Sequence, residues 1–371
     1  MPIYMDIHDT TGARIEDVAA DHQRDLTLQD KFNCKFIYFW HDTPNHTGFC
    51  VFDAPDKESV INLHNKSHGN TPNQIIEVEL NEVELFLGKI ANIAWSKKNS
   101  PFDGYINKTA HRTILYIEIV NPLLLKSVNG NGTLLNFLNL QKKIIKDSFL
   151  KYEGNIVSWE NDNILTSFLS EENAISCAAD IQSKFTGFLE KEYNRCSISM
   201  GLSFGAPVTK GDNLFGDVID MAKKLGFIAG ENQIYISSIL GKVYNKLKSN
   251  YNFSNAHIKV LSSRTEDFLI RLFKTIEIKW NEKEFNIDNL VSQFGISRAQ
   301  LYRKVTDLTG YSPNNFIREI RLKNALKLIE AQKGNISEIA YEAGFNNPSY
   351  FSKCFYKKYG MLPSEYARNI I

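Results

Sequence analysis

Hydrophobic and polar positions follow two different periods along this chain, and the change of period divides it. Up to about residue 258, short runs rich in β-branched and aromatic residues alternate with stretches in which apolar residues recur at helical spacing. From Arg264 onward only the helical spacing remains. The pattern therefore predicts a mixed α and β part followed by an all-α part.

The first segment, residues 1–98, predicts the element order βαββαβ, which is typical of a ferredoxin-like domain. Its strands are rich in aromatic and β-branched residues and are separated by polar turns. The predicted elements are helices at residues 16–32 and 57–68 and strands at residues 35–40, 48–53 and 74–79.

A polar stretch at residues 96–110, containing Lys, Asn, Ser, Pro and Gly, is predicted to be a linker. Residues 110–258 then repeat the order βαββαβ and add further elements, so we expect two small α+β ferredoxin-like domains rather than one large sheet. The predicted elements of the second domain are strands at residues 113–120, 155–159, 164–168 and 197–202 and helices at residues 134–152 and 172–193.

The last segment, residues 264–371, contains an internal repeat about fifty residues long. In each copy an apolar helix face precedes a glycine turn, Gly295 or Gly344, and a second helix begins at a polar cap, Ser297 or Asn347. Helix, turn and capped helix form a helix-turn-helix motif, so two copies in register predict a tandem helix-turn-helix domain. The apolar faces comprise Ile287, Leu290, Val291 and Phe294 in the first copy and Ile336, Ile339, Ala340 and Ala343 in the second.

The second helix of each copy is expected to bury its apolar stripe and to turn polar residues outward, as does a helix that enters the major groove of DNA. A connecting helix at residues 313–332 is about 30 Å long, close to the roughly 34 Å of one DNA turn, and can place both second helices on one face of a duplex. Arg303 has the paired donors that bind O6 and N7 of guanine. Candidate DNA contacts are Arg298, Ala299, Tyr302 and Arg303 in the first copy and Ser349, Tyr350 and Lys353 in the second.

Residues 264–371 resemble the DNA-binding domain of the AraC/XylS family over their whole length. The matching stretches are Ile336–Phe345, Tyr350–Phe355 and Tyr359–Pro363. The resemblance implies a sequence-specific transcription regulator that binds double-stranded DNA, with a homodimer and contact with RNA polymerase as further expectations. It also implies that base contacts fall on Ala299, Tyr302, Arg303, Ser349, Tyr350 and Lys353. For Arg298 and Lys353 the alternative is phosphate contact, and for Tyr302 and Tyr350 it is packing at the rim.

Charge and composition are compatible with a cytoplasmic DNA-binding protein. The net charge is +1, but residues 264–371 carry 17 basic and 12 acidic residues, whereas the rest carries 26 and 30. The five cysteines are scattered, which is typical of reduced cytosolic thiols. No apolar run is long enough to span a bilayer, and the N-terminus lacks the pattern of a signal peptide, so no membrane partner is expected.

Residues 112 to about 240 resemble the catalytic domain of class III adenylate/guanylate cyclases. The resemblance implies two carboxylates that hold metal ions, a base-selecting Lys and an Asn/Arg pair. Most of these positions are changed here, and Lys cannot reproduce the fork of Arg donors, so we expect a cyclase frame without turnover and no enzyme activity. Glu118 stands at the first carboxylate position, Asp162 (after Asn161) at the second, Ser158 at the Lys position, Asp220 at the Asn position, Lys224 at the Arg position and Asn121-Pro122-Leu123 at the flexible loop.

The first segment offers a candidate metal site. His64 and His68 are four residues apart on a predicted helix, so they share a face and can hold one ion, with solvated surface histidines as the alternative. The segment resembles a small ferredoxin-like family described as nickel-binding or nickel-responsive, through Pro2–Asp6, Glu16–His22, Ala54–Pro55 and His64–Gly69. This resemblance implies that His22, His64 and His68, with Cys50 as a weaker candidate, bind a transition metal such as nickel, although imidazole ligands suit zinc and copper as well.

Three functions remain open from the sequence. The leading hypothesis is a DNA-binding transcription regulator whose first two domains sense a ligand, hold a dimer, or do both. One alternative is a nucleotide cyclase, or a pseudo-cyclase that senses nucleotides, fused to a DNA-binding tail. The other is a metal-binding or metal-buffering protein.

Overall fold

A computed structural model describes residues 1–87, 109–120, 123–160, 162–192, 196–208, 212–250 and 256–370. Most of the predicted linker, together with Asn121, Pro122 and Asn161, lies outside these residues. The chain forms two compact units, one comprising Met1–Tyr116, Phe149–Cys177 and Leu202–Ala222 and the other Ile117–Ser148, Ala178–Gly201 and Lys223–Ile371.

The N-terminal strands form a four-stranded antiparallel sheet in the order β2-β3-β1-β4. This is the strand order of a ferredoxin-like fold, so the predicted βαββαβ arrangement is confirmed. A helix that the sequence analysis did not predict, α3, follows the last strand. The elements are β1 (Ile3–Asp9), α1 (Ile15–Leu28), β2 (Lys35–Asp42), β3 (Thr47–Asp53), α2 (Lys57–Ser67), β4 (Gln74–Val78) and α3 (Leu80–Leu87), with a 3-10 helix at Gln29–Phe32.

The two faces of this sheet have different neighbours. Because side chains alternate along a strand, Tyr4, Asp6 and His8 share one face of β1. Tyr4 packs there in a buried cluster with Phe52 of β3 and Leu63 of α2. Polar groups on this face of β1 are therefore placed between the sheet and the helices that cover it.

The opposite face of the sheet is apolar and packs against α3. Met5 of β1 and Val51 of β3 share a buried cluster with Val83 and Phe86 of α3. Ile114, which follows the predicted linker, belongs to the same cluster.

The side chain of Arg112 connects the end of α3 with residues 109–111. Its guanidinium is buried and donates to the carbonyls of Phe86 and Leu87, both at 3.1 Å, and to those of Thr109 and His111, both at 2.8 Å. Burial lowers the pKa of Arg112 to about 10. One side chain therefore holds the end of α3 together with residues 109–111.

The second sheet has the strand order β10-β9-β8-β5-β7-β6. Within it, β5 to β8 have the order β8-β5-β7-β6, which matches the order β4-β1-β3-β2 of the first sheet. Strand β10 pairs with β9 in parallel. The predicted second ferredoxin-like sheet is therefore confirmed. The elements are β5 (Arg112–Val120), α4 (Leu123–Lys151), β6 (Asn155–Glu160), β7 (Asn163–Phe168), α5 (Glu171–Glu192), β8 (Ser197–Gly205), α6 (Gly216–Ile228), β9 (Gln233–Ile236), α7 (Gly241–Asn250) and β10 (Ile258–Val260), with a 3-10 helix at Ser238–Leu240.

The C-terminal segment is helical apart from its turns, as predicted. Gly295 and Gly344 end the first helix of each motif with positive φ angles of 62° and 77°, a conformation that glycine adopts without strain. Ser297 Oγ accepts from Gln300 N at 3.2 Å, and Gln300 Oε1 accepts from Ser297 N at 3.1 Å, which completes the predicted capping box. The helices are α8 (Ser263–Lys279), α9 (Ile287–Phe294), α10 (Arg298–Thr309), α11 (Pro313–Glu330), α12 (Ile336–Glu342), α13 (Pro348–Tyr359) and α14 (Pro363–Ile370).

Within the described residues, no helix combines the length and the apolar character that crossing a bilayer requires.

Candidate functional sites

Strand β1 and the two helices that cover it bring histidines and aspartates of the N-terminal domain into one buried layer. Strand β1 presents Asp6 and His8, which lie two residues apart and so share a face. Helix α2 presents His64, His68 follows directly at the C-terminal end of α2, and helix α1 presents Asp25. All five side chains are at most 9% exposed. We call these residues the histidine–aspartate cluster.

His64 lies at the centre of the cluster. Its Nε2 is 3.0 Å from Asp6 Oδ2, and its Nδ1 is 3.2 Å from Asp25 Oδ2. His68 Nε2 is also 3.2 Å from Asp25 Oδ2, and His8 Nε2 is 3.5 Å from Asp6 Oδ1. Each ring nitrogen of His64 therefore faces a different aspartate.

The cluster is electrostatically coupled. Burial favours neutral groups, but His8 and His64 outweigh it and hold the pKa of Asp6 well below its usual range. Burial also opposes charge on His64, yet the hydrogen bonds to Asp25 and Asp6 raise the pKa of His64 to about 10. These contacts favour the carboxylate forms of Asp6 and Asp25 and the charged form of His64.

Two groups in the cluster have the composition of a metal site. Asp6, His8 and His64 form one group, and Asp25, His64 and His68 form the other. In each group the potential ligand atoms lie within 4.8 Å of one another. Atoms that bind one ion at about 2.0–2.2 Å must lie within roughly 4 Å of each other, so small side-chain movements suffice in both.

The metal ligands suggested by the sequence are only partly brought together. His64 and His68 do lie together, with His64 Nδ1 3.2 Å from His68 Nε2, although α2 ends at Ser67, one residue before His68. His22 is buried instead between Phe36 and Phe39, with ring centroids 4.2 and 4.7 Å away, and burial lowers the pKa of His22 to about 4.

Cys50 lies beside the cluster, paired with Asp6 across strands β3 and β1. Its backbone N–H donates to Asp6 Oδ1 at 2.9 Å. Burial, with Asp6 and Asp25 nearby, raises the pKa of the Cys50 thiol well above its usual value, which favours the thiol over the thiolate that binds metals.

In the second domain, the residues at the cyclase-like positions make contacts within the chain or lie at the surface or in a turn. Glu118 Oε2, at the first carboxylate position, accepts a hydrogen bond from Lys323 Nζ at 2.6 Å. Lys224 Nζ lies 5.7 Å from the ring centroid of Phe273. Asp220 is exposed, Ser158 lies within β6, and Asp162 lies in the turn between β6 and β7.

The candidate DNA contacts lie on helices α10 and α13. Both helices bury an apolar stripe, formed by Leu301 and Val305 in α10 and by Phe351 and Phe355 in α13. The seven candidates are all exposed: Arg298, Ala299, Tyr302, Arg303, Ser349, Tyr350 and Lys353. This arrangement leaves one polar side of each helix available to a partner.

Comparison with known families supports the interpretation of both ends of the chain. A family model described as a helix-turn-helix domain matches residues 290–369, which contain both motifs. The tail is an AraC-type helix-turn-helix domain. A second family model, described as nickel responsive protein SCO4226-like, matches residues 4–78, which contain the histidine–aspartate cluster.

Relatives of the chain include the histidine kinase P4 of Formosa agariphila, 40% identical over 145 residues, which are 38% of this chain and 10% of that protein. The transcriptional activator RhaS of Mannheimia succiniciproducens is 32% identical over 145 residues, which are 35% of this chain and 53% of that protein. The chain thus spans about a tenth and about half of these two relatives. Among solved structures, an adenylate/guanylate cyclase/hydrolase from Silicibacter pomeroyi aligns with 37% of this chain and 81% of its own at 22% identity, with a TM-score of 0.33.

Proposed function

We propose that this protein is a transcription regulator that reads double-stranded DNA with helices α10 and α13. The observation that carries the proposal is the tandem of capped helix-turn-helix units with exposed polar sides in an AraC-type domain. Helix α11 connects the units and has 18 residues, so it is about 27 Å long, somewhat less than one turn of DNA. Action as a homodimer, contact with RNA polymerase and a cytoplasmic location belong to the same proposal.

Within this interface, the seven exposed candidates have different roles. Arg303 donates to a guanine edge, and Ala299 offers an apolar contact to a thymine methyl group. Arg298 has an exposed guanidinium 3.3 Å from Asp288, and it suits a phosphate contact that positions the helix without specifying sequence.

The test is a binding measurement on duplexes selected from a random-sequence pool by the wild-type chain. Arg303→Ala weakens binding to the selected duplex by about 1–3 kcal/mol and relaxes the preference at one base pair. Arg264→Ala, which removes an exposed arginine from α8, is the matched control and leaves the preference intact. Affinity falls steeply with salt because phosphate contacts release counterions. Failure of the wild-type chain to select any sequence would refute the proposal.

We further propose that the N-terminal domain binds one divalent transition metal ion. The supporting observations are the buried histidine–aspartate cluster and the nickel-responsive family model that covers it. Imidazole nitrogens and carboxylate oxygens suit nickel, zinc and copper.

Hydrogen bonds favour the group of Asp6, His8 and His64. The backbone N–H of Asn70 donates to His68 Nδ1 at 3.1 Å, so a neutral His68 carries its proton on Nε2, the nitrogen facing Asp25. That nitrogen then has no lone pair for an ion.

His8 Nε2, in contrast, is buried, and Asp6 Oδ1, 3.5 Å away, does not complete a hydrogen bond with it, so this nitrogen has a bonding position to offer. His64 binds through Nε2, and its Nδ1–H donates to Asp25. Metal-bound histidines usually orient themselves by such a bond to a carboxylate. His68 and Asp25 are therefore supporting residues in this proposal.

Titration of the purified chain with Ni²⁺, Zn²⁺ and Cu²⁺ in a calorimeter tests this second proposal. We expect one ion per chain. Measured stoichiometries of zero or two ions would each contradict it.

The second α+β domain is proposed to lack cyclase turnover. Glu118 is paired with a lysine, and Lys cannot replace the Arg fork at position 224. Incubation with ATP or GTP and Mn²⁺ is expected to yield no cyclic nucleotide, and sustained production would show that the cyclase alternative is correct.

A further inference from the structure

One surface of the second α+β domain carries the AraC-type tail. At its centre is Phe227, near the end of α6. Its ring centroid lies 5.6 Å from that of Phe273 in α8 and 5.7 Å from that of Phe316 in α11. Phe273 and Phe316 are themselves 5.6 Å apart, so the three rings form a closed cluster in edge-to-face geometry. We call Glu118, Phe227 and Tyr235 the docking surface.

An ion pair lies beside this aromatic cluster. Lys323 Nζ of α11 is 2.6 Å from Glu118 Oε2 of β5 and 5.1 Å from the ring centroid of Phe227. Both charged side chains are about three-quarters buried, at 24% and 23% exposed. A pair removed from water to this extent needs its partner, because a lone charge left there is poorly solvated.

The docking surface contacts both helix-turn-helix units. The hydroxyl of Tyr235 in β9 donates to the carbonyl of Leu308, near the end of α10, at 3.4 Å. Lys358, near the end of α13, places its Nζ 6.0 Å from the centroid of Phe227 and 2.7 Å from Glu319 Oε2 of α11.

These contacts use the ends of α10 and α13 that lie away from the candidate base contacts. Leu308 and Lys358 are near the C-termini of the two helices, whereas Arg303 and Lys353 lie closer to their middle and are exposed. Docking therefore holds α10 and α13 while leaving their exposed polar sides, which carry the candidate base contacts, accessible.

We propose that the docking surface holds the DNA-binding domain rigid, and that Glu118 anchors α11 through Lys323. We call this support the splint. The splint fixes α10 and α13 relative to each other before DNA binds. Binding to DNA then costs less ordering, so affinity depends on a contact that lies away from the recognition residues. This inference rests on the proposed DNA-binding function.

A charge-reversal set tests the splint in the full chain. Glu118→Lys and Lys323→Glu each place like charges at the anchor, and the double variant restores an ion pair in the opposite order. Two quantities are measured for each: hydrogen exchange of α11, and affinity for a duplex selected from a random pool by the wild-type chain. Lys333→Glu, an exposed lysine beyond α11, is the control that makes the same charge change as Lys323→Glu.

We expect each single variant to speed exchange in α11 and to weaken DNA binding about tenfold, as for loss of one charged hydrogen bond. The double variant recovers most of both losses, whereas Lys333→Glu leaves exchange in α11 unchanged. Glu118→Lys is especially informative, since added positive charge by itself strengthens DNA binding.

Three results would overturn the splint: unchanged exchange in both single variants, tighter DNA binding by Glu118→Lys, or additive losses in the double variant. If the wild-type chain selects no DNA, the regulator proposal and the splint fail together. Intact selection with unchanged exchange in the single variants removes the splint alone. Phe227→Leu, which keeps an apolar side chain but loses the ring contacts, is expected to show the same faster exchange without any change of charge.

Discussion

Asp6 and Glu118 lie on corresponding strands, because β1 and β5 each begin a βαββαβ sheet with the same strand order. Asp6 lies on the helix-covered face of its sheet, beside a buried histidine nitrogen that makes no hydrogen bond with any described residue. Glu118 is partly exposed and is already paired with Lys323. Two carboxylates on corresponding strands of one repeated fold are therefore used differently.

The difference indicates what makes a carboxylate suitable for the proposed ligand site. Burial alone does not, since Glu118 is also largely removed from water. What matters is whether neighbouring groups leave a bonding position unused, as His8 does, or occupy the carboxylate with an ammonium group, as Lys323 does. The first arrangement suits an incoming ion, and the second suits a contact within the chain.

The strongest test of this comparison is the loss of His8. His8→Ala removes a proposed ligand and should reduce Ni²⁺ affinity by more than the roughly 10–100-fold that loss of an outer partner costs. Isothermal titration gives the affinity, and His46→Ala, an exposed histidine in the β2–β3 turn, is the matched control. Equal affinities of the two variants would remove His8 from the site.

A smaller effect is expected at Asp25. Asp25→Asn keeps the size of the side chain but removes the carboxylate that receives the Nδ1–H of His64. Because Asp25 is proposed as a supporting residue, Ni²⁺ affinity should fall by about 10–100-fold without a change in stoichiometry. A loss as large as that of His8→Ala would instead identify Asp25 as a direct ligand.

The smallest effect is expected at Glu118. Glu118→Gln should leave the affinity and stoichiometry for Ni²⁺ unchanged, because this carboxylate is engaged by Lys323. The same titration measures it. Loss of an ion from this variant would show that the second sheet also binds metal and would end the contrast with Asp6.

Much of the architecture was visible in the periodicity of the sequence. Alternating residues located strands in both sheets, and the glycine turns and polar caps located the helix-turn-helix units. Two features were missed: α3, and the start of α4 at Leu123 rather than Leu134. Asparagine and glycine at 129–132 are weak helix formers, but extending a helix costs far less than starting one.

The site was only partly predictable. The alternation of Tyr4, Asp6 and His8 could have identified two of the missed cluster residues, because it places polar groups on the same strand face as an aromatic residue. Asp25 had no such signal, since an aspartate on an amphipathic helix is usually exposed. The pairing of Glu118 with Lys323 spans 205 positions in sequence, a distance that local patterns do not encode.

The carbonyls gathered by Arg112 have a practical consequence for labelling the protein. The carbonyls of Leu87 and Thr109 both accept from this guanidinium, so two positions far apart in sequence share one fixed point. A label attached beside either residue should therefore report on the same local structure, and loss of this one guanidinium should change the signal from both positions.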